Sequence, residues 1–240
     1  MIIAIDAGNS RIKWATHEDG RWLDSGVLAT SDVCWLAEAA DEWPAGGQAV
    51  VCNVAGAAVA AGISSSLAAR HARVSFLRPT VAACGVSNSY DLPGQLGADR
   101  WAALIGARSQ SASACLVVCA GTATTVDLLD AGGVFRGGLI LPGFDLMRAA
   151  LASNTAQLPL ADEGSFRTTP RNTSDAIVSG CLQAQLGAVE RMFAGIASEA
   201  GAQCLLTGGA AERLAAHLRI PFLLVDNLIL RGLVRYAESL

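Results

Sequence analysis

The stretch that decides the fold is Ile2-Ile3-Ala4-Ile5-Asp6-Ala7-Gly8-Asn9-Ser10-Arg11-Ile12-Lys13. It joins an apolar run, Ile2 to Ile5, to an alternating run, Arg11 to Thr16, through a polar turn that contains glycine. Two β-type runs joined in this way predict a hairpin. A third run, Trp22 to Leu28, follows the turn Glu18-Asp19-Gly20, so we expect the chain to open with a β-meander.

The rest of the first half alternates between helix and strand patterns. A helix is predicted over 31–45, beginning at Ser31 or Asp32 and ending at Pro44. The further elements are a strand at Ala49–Val54, a helix over about 57–70, a strand at Val74–Leu77, an irregular segment at 84–97 and a helix at Ala98–Arg108.

The second half repeats the opening pattern. Three apolar runs separated by glycine turns predict strands at Cys115–Cys119, Thr124–Leu129 and Val134–Leu141. Helices over 143–153 and 174–199, a strand at Leu205–Thr207 and a helix over about 226–238 follow. The repetition predicts an α/β fold of two duplicated subdomains, 1–111 and 112–240, with the boundary near the segment 109–114.

Composition excludes several classes of protein. The 240 residues carry 17 basic and 21 acidic side chains, a net charge of −4, which argues against nucleic acid as the main partner. No uninterrupted apolar run reaches the roughly 18 residues of a membrane span, and the N-terminus lacks signal-peptide features. Seven cysteines without a C-x-x-C pair and three isolated histidines argue against a disulfide framework and a zinc site. We therefore expect a cytoplasmic protein with reduced thiols.

The turn Asp6-Ala7-Gly8-Asn9-Ser10 has the chemistry of a phosphate site. A carboxylate at a strand end can hold hydrated Mg²⁺, and a glycine two residues later lets the backbone approach a phosphate. The hydroxyl of Ser10 and the ammonium of Lys13, the only lysine, could reach the same phosphates. The same residues also make a good hairpin turn that needs no ligand, and both interpretations stay open.

A matching turn lies in the second half. Gly121-Thr122-Ala123-Thr124-Thr125 follows a buried apolar run, and its small residues and hydroxyls suit close approach of a phosphate. The alternative is a tight turn with β-favouring threonines. Two such hairpins resemble the ATP site of the actin, Hsp70 and sugar-kinase superfamily, whereas no Walker A motif and no kinase glycine-rich loop is present.

Asp99 and Arg100 stand where the irregular segment enters a helix. As a structural pair, Asp99 caps the helix and Arg100 is solvated. As a functional pair, Asp99 accepts a hydroxyl proton during phosphoryl transfer and Arg100 binds an anionic group of the acceptor. Two glycine-rich segments, Gly137–Gly143 and Leu206–Gly209, predict close backbone packing; the second could also let an adenosine lie on the backbone.

Together these motifs resemble the type III pantothenate kinases, a family that includes the Bvg accessory factors. The resemblance runs along almost the whole chain, through Asp6–Trp14, Asn88–Tyr90, Leu96–Trp101, Gly121–Asp127, Gly137–Gly143, Thr173, Ala176-Ile177, Gly180 and Leu206–Gly209. It implies a ribonuclease H-like fold in both subdomains and a homodimer. It also implies ATP-dependent phosphorylation of pantothenate to 4′-phosphopantothenate, the first step of coenzyme A biosynthesis.

The resemblance also implies roles for single residues. Asp6 to Lys13 would hold the ATP phosphates and, through Asp6, Mg²⁺, and Gly121 and Thr122 would contact ATP from the second half. Asp99 would be the catalytic base. The pantothenate pocket would be lined by Tyr90, Gly97, Ala98, Asp99 and Arg100, and completed by Thr173 from the other subunit.

Two departures from the family pattern lead to expectations of their own. Many members carry an Asp that binds an activating K⁺ or NH₄⁺ at the position of Cys119. Because a neutral thiol is a poor ligand for a hard cation, we expect this activation to be weakened, absent or served by other groups. Many members also read Gly-Gly-Asp-Ala where this chain has Gly208-Gly209-Ala210-Ala211, which predicts loose binding of the nucleotide.

Two other functions remain compatible with the sequence. One is a non-catalytic regulatory protein on the same fold. The departures from the family pattern at Cys119 and Ala210 favour it, whereas the presence of Asp6, Asp99 and Arg100 argues against it. The other is a kinase of a different small hydroxyl compound, such as a sugar. The Asp99-Arg100 pair favours an acceptor that carries an anion, as pantothenate does.

Overall fold

A computed structural model describes residues 1–43, 46–68 and 73–240. The strands are β1 (Ile2–Ala7), β2 (Arg11–Glu18), β3 (Arg21–Ala29), β4 (Gln48–Asn53), β5 (Arg73–Phe76), β6 (Ala82–Ala83), β7 (Val86–Asn88), β8 (Cys115–Ala120), β9 (Ala123–Leu129), β10 (Val134–Pro142), β11 (Gln203–Thr207) and β12 (Phe222–Leu224). The α-helices are α1 (Leu36–Asp41), α2 (Ala57–Leu67), α3 (Ala98–Gln110), α4 (Phe144–Asn154), α5 (Thr173–Phe193), α6 (Ala211–Ala215) and α7 (Leu228–Ala237). Short 3-10 helices span Thr30–Trp35 and Pro93–Gln95.

The chain divides into two compact units. The first comprises Met1–Ala112, Gly133–Phe135 and Asn227–Leu240, and the second comprises Ser113–Gly132 and Arg136–Asp226. The first unit therefore includes α7, which the sequence analysis assigned to the 112–240 subdomain. The division at 111–112 stays a prediction.

The first unit is built on a five-stranded sheet of order β3-β2-β1-β4-β5. β1 pairs antiparallel with β2 and parallel with β4, so the opening meander feeds a mixed sheet. The central strands are buried on both faces, as their nearly continuous apolar sequences require. Ile5 and Val51 pack into one core cluster with Ile63 of α2, while α3 and α7 also contact these strands.

Helices α3 and α7 approach each other through two glycines. A Cβ at Gly106 would overlap the carbonyl oxygen of Leu228, and a Cβ at Gly232 would overlap the carbonyl oxygen of Ala102. Leu104 and Ile105 on α3 are fully buried. The absence of both side chains is thus what lets the two helix backbones pack in contact, and this contact fixes α3 within the first unit.

The second unit contains five strands in the order β12-β11-β8-β9-β10. β8 pairs antiparallel with β9 and parallel with β11, as β1 does with its two neighbours in the first unit. α5 supplies much of the core, since Leu182, Leu186 and Val189 are buried in one cluster with strand residues. The core excludes water well enough that burial raises the pKa of the Cys204 thiol to about 12.

The structure confirms both predicted meanders and most of the other elements. The predicted helix over 31–45 is instead a 3-10 helix followed by α1, which ends at Asp41; its predicted end at Pro44 lies outside the described residues. The 3-10 helix contains a non-helical Asp32, and the Val33 methyl groups approach Gly62 of α2 closely. Packing against α2 thus replaces regular helical geometry here.

Other boundaries differ for local reasons. α5 ends at Phe193 rather than 199, immediately before Ala194-Gly195, because glycine disfavours continuation of a helix. α2 ends at Leu67, and residues 69–70 of its predicted span lie outside the described residues, as does His71. β6, β7, α6 and β12 were not predicted, since elements of two to five residues are too short for a periodicity. Within the described ranges, no helix has the length and apolar character needed to cross a membrane.

We predict that Gly232→Ala destabilises the protein by about 1–3 kcal/mol, because the methyl group forces α7 away from α3. The measurement is the urea-unfolding midpoint at constant slope. Gly187→Ala on α5 is the control: a Cβ there meets nothing within 4 Å among the described residues, so we expect a gain of roughly 0.5–1 kcal/mol. An unchanged midpoint for Gly232→Ala would contradict the close-packing argument.

Candidate functional site

The turn between β1 and β2 is held by backbone hydrogen bonds and by the side chain of Thr30. The Gly8 N–H donates to the Arg11 carbonyl at 3.0 Å, and the Thr30 hydroxyl donates to the Gly8 carbonyl at 2.7 Å. The Thr30 N–H donates to the Ser10 carbonyl at 3.2 Å. Asn9 and Ser10 are exposed at the tip. The turn is thus a fixed loop with a small, accessible tip, as a phosphate-binding turn requires.

Asp6 is the carboxylate of the first unit whose pKa departs most from its usual value. It lies at the end of β1 opposite Lys13, its partner in the register with β2. Burial raises the pKa of Asp6 to about 7; the negative charge of Asp99 also raises it, and the positive charge of Lys13 lowers it. Asp6, Lys13 and Asp99 therefore lie within electrostatic reach of one another, although Asp99 is far from the other two in sequence.

Asp99 is set at the start of α3 by a glycine. A Cβ at Gly97 would overlap Oδ1 of Asp99, so the side chain folds back over a position that only glycine leaves open. The same Oδ1 accepts a hydrogen bond from the Arg100 N–H at 2.8 Å. The Gly97 carbonyl accepts from the Trp101 N–H at 3.0 Å and so begins the helix. Asp99 and Ala98 are only partly buried, which leaves this helix start accessible.

Arg100 is buried in an aromatic setting. Its side chain is 4% exposed, and its guanidinium donates to the Tyr90 hydroxyl at 2.9 Å. The guanidinium carbon lies 5.7 Å from the centre of the Tyr90 ring and 5.6 Å from that of Phe135. Tyr90 is positioned in turn by Asn88, whose side-chain oxygen accepts from the Tyr90 N–H at 3.1 Å. The structure therefore brings Tyr90 and Arg100 together, and Phe135 and Asn88 support the pair.

The second turn is enclosed by close backbone approaches within the second unit. The Gly143 N–H donates to the Thr122 carbonyl at 2.8 Å, and a Cβ at Gly143 would overlap the Gly121 carbonyl. On the other side, a Cβ at Gly208 would overlap the Ala120 carbonyl. Gly121 and Thr122 themselves are exposed. The glycine-rich segments of the sequence thus pack around this turn, and they leave its tip accessible.

Next to this turn, Cys119 pairs with Thr125 across β8 and β9. Directly paired residues point to the same face of a sheet. The Thr125 hydroxyl is buried and has no hydrogen-bond partner among the described residues. One hydroxyl and one thiol are a poor ligand set for K⁺ or NH₄⁺, which prefer several oxygen ligands. Cys119 therefore offers this face a thiol beside a buried hydroxyl and no carboxylate, and the expectation of weakened cation activation stays a prediction.

A cavity of about 310 Å³ follows β11. It is lined by Leu206, Thr207, Gly208, Gly209, Ala211, Glu212, Leu224, Val225 and Asp226. Its location after the Gly208-Gly209 pair is where the sequence analysis allowed for an adenosine. Ala210 offers no polar side chain there, so Glu212 and Asp226 are the charged groups of the cavity.

Thr173 is the first residue of α5 and is exposed. The Asn172 side chain caps this helix by accepting from the Asp175 N–H at 2.8 Å. Hydrogen bonds from the Ser165 N–H and the Asn172 side chain hold the pKa of Asp175 below its usual value. Thr173 therefore stands at a well-ordered, accessible helix start in the second unit.

Comparison with known proteins identifies the family. A sequence model described as type III pantothenate kinase matches residues 2–195. The chain belongs to the type III pantothenate kinase family. A relative named type III pantothenate kinase from Aromatoleum aromaticum is 55% identical over 239 residues, which cover 100% of this chain and 98% of the relative.

Solved structures confirm the predicted fold of the family member. A Campylobacter jejuni protein described as a Baf family transcriptional activator matches with a TM-score of 0.66 at 20% identity, covering 99% of this chain and 98% of the other. A Sinorhizobium meliloti protein described as a 2-dehydro-3-deoxygalactonokinase matches with a TM-score of 0.60 at 17% identity, covering 100% and 99%. At these identities the likeness shows the fold alone, and it supports the ribonuclease H-like class.

Sequence reasoning on this family member missed two supporting residues. Phe135, which packs beside Arg100, sits in an ordinary strand sequence and gave no signal. Asn88 belongs to the motif Asn88–Tyr90, yet only the structure shows that its side chain holds Tyr90. An Asn side chain that accepts from the backbone N–H two residues on forms an Asx turn, and this local pattern could have indicated Asn88.

We predict that Asp6 makes the unfolding free energy of the ligand-free, Mg²⁺-free protein fall with rising pH. The carboxyl has a pKa of 3.8 when unfolded and about 7 when folded, so the folded state binds the extra proton. The contribution of Asp6 to the unfolding free energy is fully present below the pKa of the unfolded state. As the pH rises through the pKa of the folded state, this contribution is lost, and the loss is at most about 4 kcal/mol.

The measurement is urea unfolding of wild type and Asp6→Asn between about pH 5 and pH 8.5. We expect the variant to gain stability relative to wild type as the pH rises to about 7, with a constant difference above it. Glu38→Gln, an exposed change on α1, is the control and should give a difference independent of pH. A constant difference for Asp6→Asn would show that its folded pKa is ordinary.

Proposed function

We propose that this protein transfers the γ-phosphoryl group of ATP to the primary hydroxyl of pantothenate, giving 4′-phosphopantothenate and ADP. This reaction is the first step of coenzyme A biosynthesis. The observation that carries the proposal is the group formed by Asp6, Lys13 and Asp99 in the first unit, beside the buried Arg100. We assign the protein to the cytoplasm.

Asp99 is the catalytic base in this proposal. Its Oδ1 is held by the Arg100 N–H, so Oδ2 is the oxygen that takes the hydroxyl proton. The hydroxyl oxygen then forms a bond to the γ-phosphorus, and the bond from that phosphorus to the bridging oxygen of ADP breaks. Positioning and electrostatics supply most of the catalysis in such transfers.

The ATP phosphates bind at the turn Ala7 to Ile12 in this assignment. The amides of Asn9 and Ser10 and the Ser10 hydroxyl donate to phosphate oxygens, whereas the Gly8 amide is bound to the Arg11 carbonyl; Lys13 and Arg11 provide positive charge. Within the described residues, no cluster of three or more His, Cys, Asp or Glu side chains could hold a metal. Mg²⁺ is commonly bound through one or two carboxylates plus phosphates. Asp6 would hold it, and the bound ion would neutralise charge on the phosphates.

Arg100 selects the acceptor. Pantothenate carries a carboxylate at the end opposite its primary hydroxyl, and a guanidinium fork matches carboxylate geometry. Tyr90 and Phe135 fix the guanidinium so that little side-chain entropy is lost on binding. Gly97 and Ala98 give the acceptor access to Asp99. Sugars lack the anion, so this setting favours pantothenate over the sugar alternative.

The second unit contributes the other contacts. Gly121 and Thr122 contact ATP from the enclosed turn, and the cavity after β11 takes the adenosine. Thr173 completes the pantothenate pocket of a partner subunit, so the active form is a homodimer. The exposed position of Thr173 at the start of α5 supports this role.

The proposal predicts pantothenate-dependent release of ADP from MgATP by the purified protein, with NH₄⁺ present. Asp99→Asn should keep the fold and lose nearly all turnover, at least about 10²-fold, because the amide cannot accept the proton. Asp91→Asn, an exposed change in the same segment, is the matched control and should keep wild-type turnover.

The outcomes separate the alternatives. Release with a sugar but not with pantothenate would indicate a different acceptor. No release with any acceptor would support the regulatory protein. Wild-type turnover of Asp99→Asn would remove Asp99 from the role of base.

We further predict little activation by monovalent cations. Turnover should change by less than about twofold when K⁺ or NH₄⁺ replaces a large organic cation, because Cys119 offers a thiol instead of a hard oxygen ligand. Cys119→Asp should make turnover depend on K⁺, and Cys119→Ser is the control for loss of the thiol alone. Strong K⁺ dependence of the wild-type protein would overturn this expectation.

A further inference from the structure

The helix α5 contains one amide side chain in a fully enclosed position. Gln185 is 0% exposed, although it lies among apolar residues such as Leu182 and Leu186. A buried amide costs free energy unless its polar atoms are hydrogen-bonded, so its partners indicate what the residue does.

The polar partners of Gln185 lie on three elements, β9, β10 and α4, where the Met147 sulfur is 3.7 Å from Nε2. Its Oε1 accepts a hydrogen bond from the Thr124 hydroxyl of β9 at 3.0 Å. Its Nε2 donates a longer bond to the Pro142 carbonyl at the end of β10, at 3.4 Å. The amide thus links β9 to the end of β10.

Thr124 and Pro142 flank the turn Gly121-Thr122, which is the proposed ATP turn of the second unit. Thr124 comes two residues after Thr122, on the strand that leaves the turn. Pro142 directly precedes Gly143, whose N–H donates to the Thr122 carbonyl at 2.8 Å. Gln185 thus connects the two segments that hold Thr122 in place, without reaching the exposed tip itself.

We propose that Gln185 is a positioning residue that sets the affinity for MgATP by fixing the Gly121-Thr122 turn through Thr124 and Pro142. The proposal rests on the function proposed above, in which this turn contacts ATP. Gln185 touches neither substrate in that arrangement. Its loss should therefore weaken nucleotide binding while the pantothenate pocket of the first unit and the base Asp99 are unaffected.

The main test compares Gln185→Leu with wild type in turnover and in calorimetric binding of MgATP without acceptor. We expect the KM and Kd for MgATP to rise about tenfold, with the KM for pantothenate changed less than about twofold and kcat largely retained. Thr124→Val keeps the β-branched shape and removes the hydroxyl, so it should shift the same constants in the same direction even if Gln185→Leu folds poorly.

Ser179→Ala is the matched control on the same helix. The Ser179 hydroxyl is also buried and accepts from the Arg167 N–H at 2.9 Å, away from the turn. Its loss should lower stability without changing the constants for MgATP. A similar rise in MgATP constants for Ser179→Ala, or an equal rise in KM for both substrates in Gln185→Leu, would overturn the positioning role.

The double variant Gln185→Leu/Thr124→Val tests whether the hydrogen bond carries the effect. If it does, the double variant should bind MgATP no more weakly than Gln185→Leu, since both partners of one bond are gone. Additive losses would overturn the proposal. If the wild-type protein binds MgATP but does not phosphorylate pantothenate, the proposed function is contradicted, and the binding comparison still tests the role of Gln185. If the wild-type protein does not bind MgATP at all, the proposed function and the role of Gln185 are both overturned.

Discussion

The partial burial of a carboxylate beside a second carboxylate is the constraint on which the first unit depends. Asp6 lies opposite Lys13 in the β1–β2 register, and α3 brings the like charge of Asp99 near it. Removing two like charges from water is costly unless a cation offsets them. Lys13 supplies part of that offset, and the pKa of Asp6 is nevertheless raised to about 7.

Close backbone packing at glycines supports the accessible residues of both units. Gly106 and Gly232 let α3 and α7 touch, which fixes the helix that begins at Asp99. Gly143 and Gly208 enclose the Gly121-Thr122 turn in the second unit. In both units the accessible residues are thus supported by packing that tolerates no added side chain, in addition to the hydrogen bonds that hold the turns.

The sequence predicted the features that depend on local chemistry. The turn at Asp6 to Ser10 and the helix start at Asp99 follow from residue types within a few positions, and the structure has both. It could not predict that Phe135 packs beside Arg100 or that Gln185 holds Thr124, because both contacts join segments far apart in the chain. The 3-10 helix at Thr30–Trp35 shows the same limit, since packing against Gly62 overrode a helical pattern.

The location of α7 has a consequence for biosynthesis. This helix packs on α3 and β1, yet it follows the whole second unit in the chain. A ribosome therefore releases β1 to α3 long before their last packing partner exists. Until then the close-packing surface of α3 around Gly106 lacks its α7 partner, so the first unit completes its packing only when the last residues of the chain have been made.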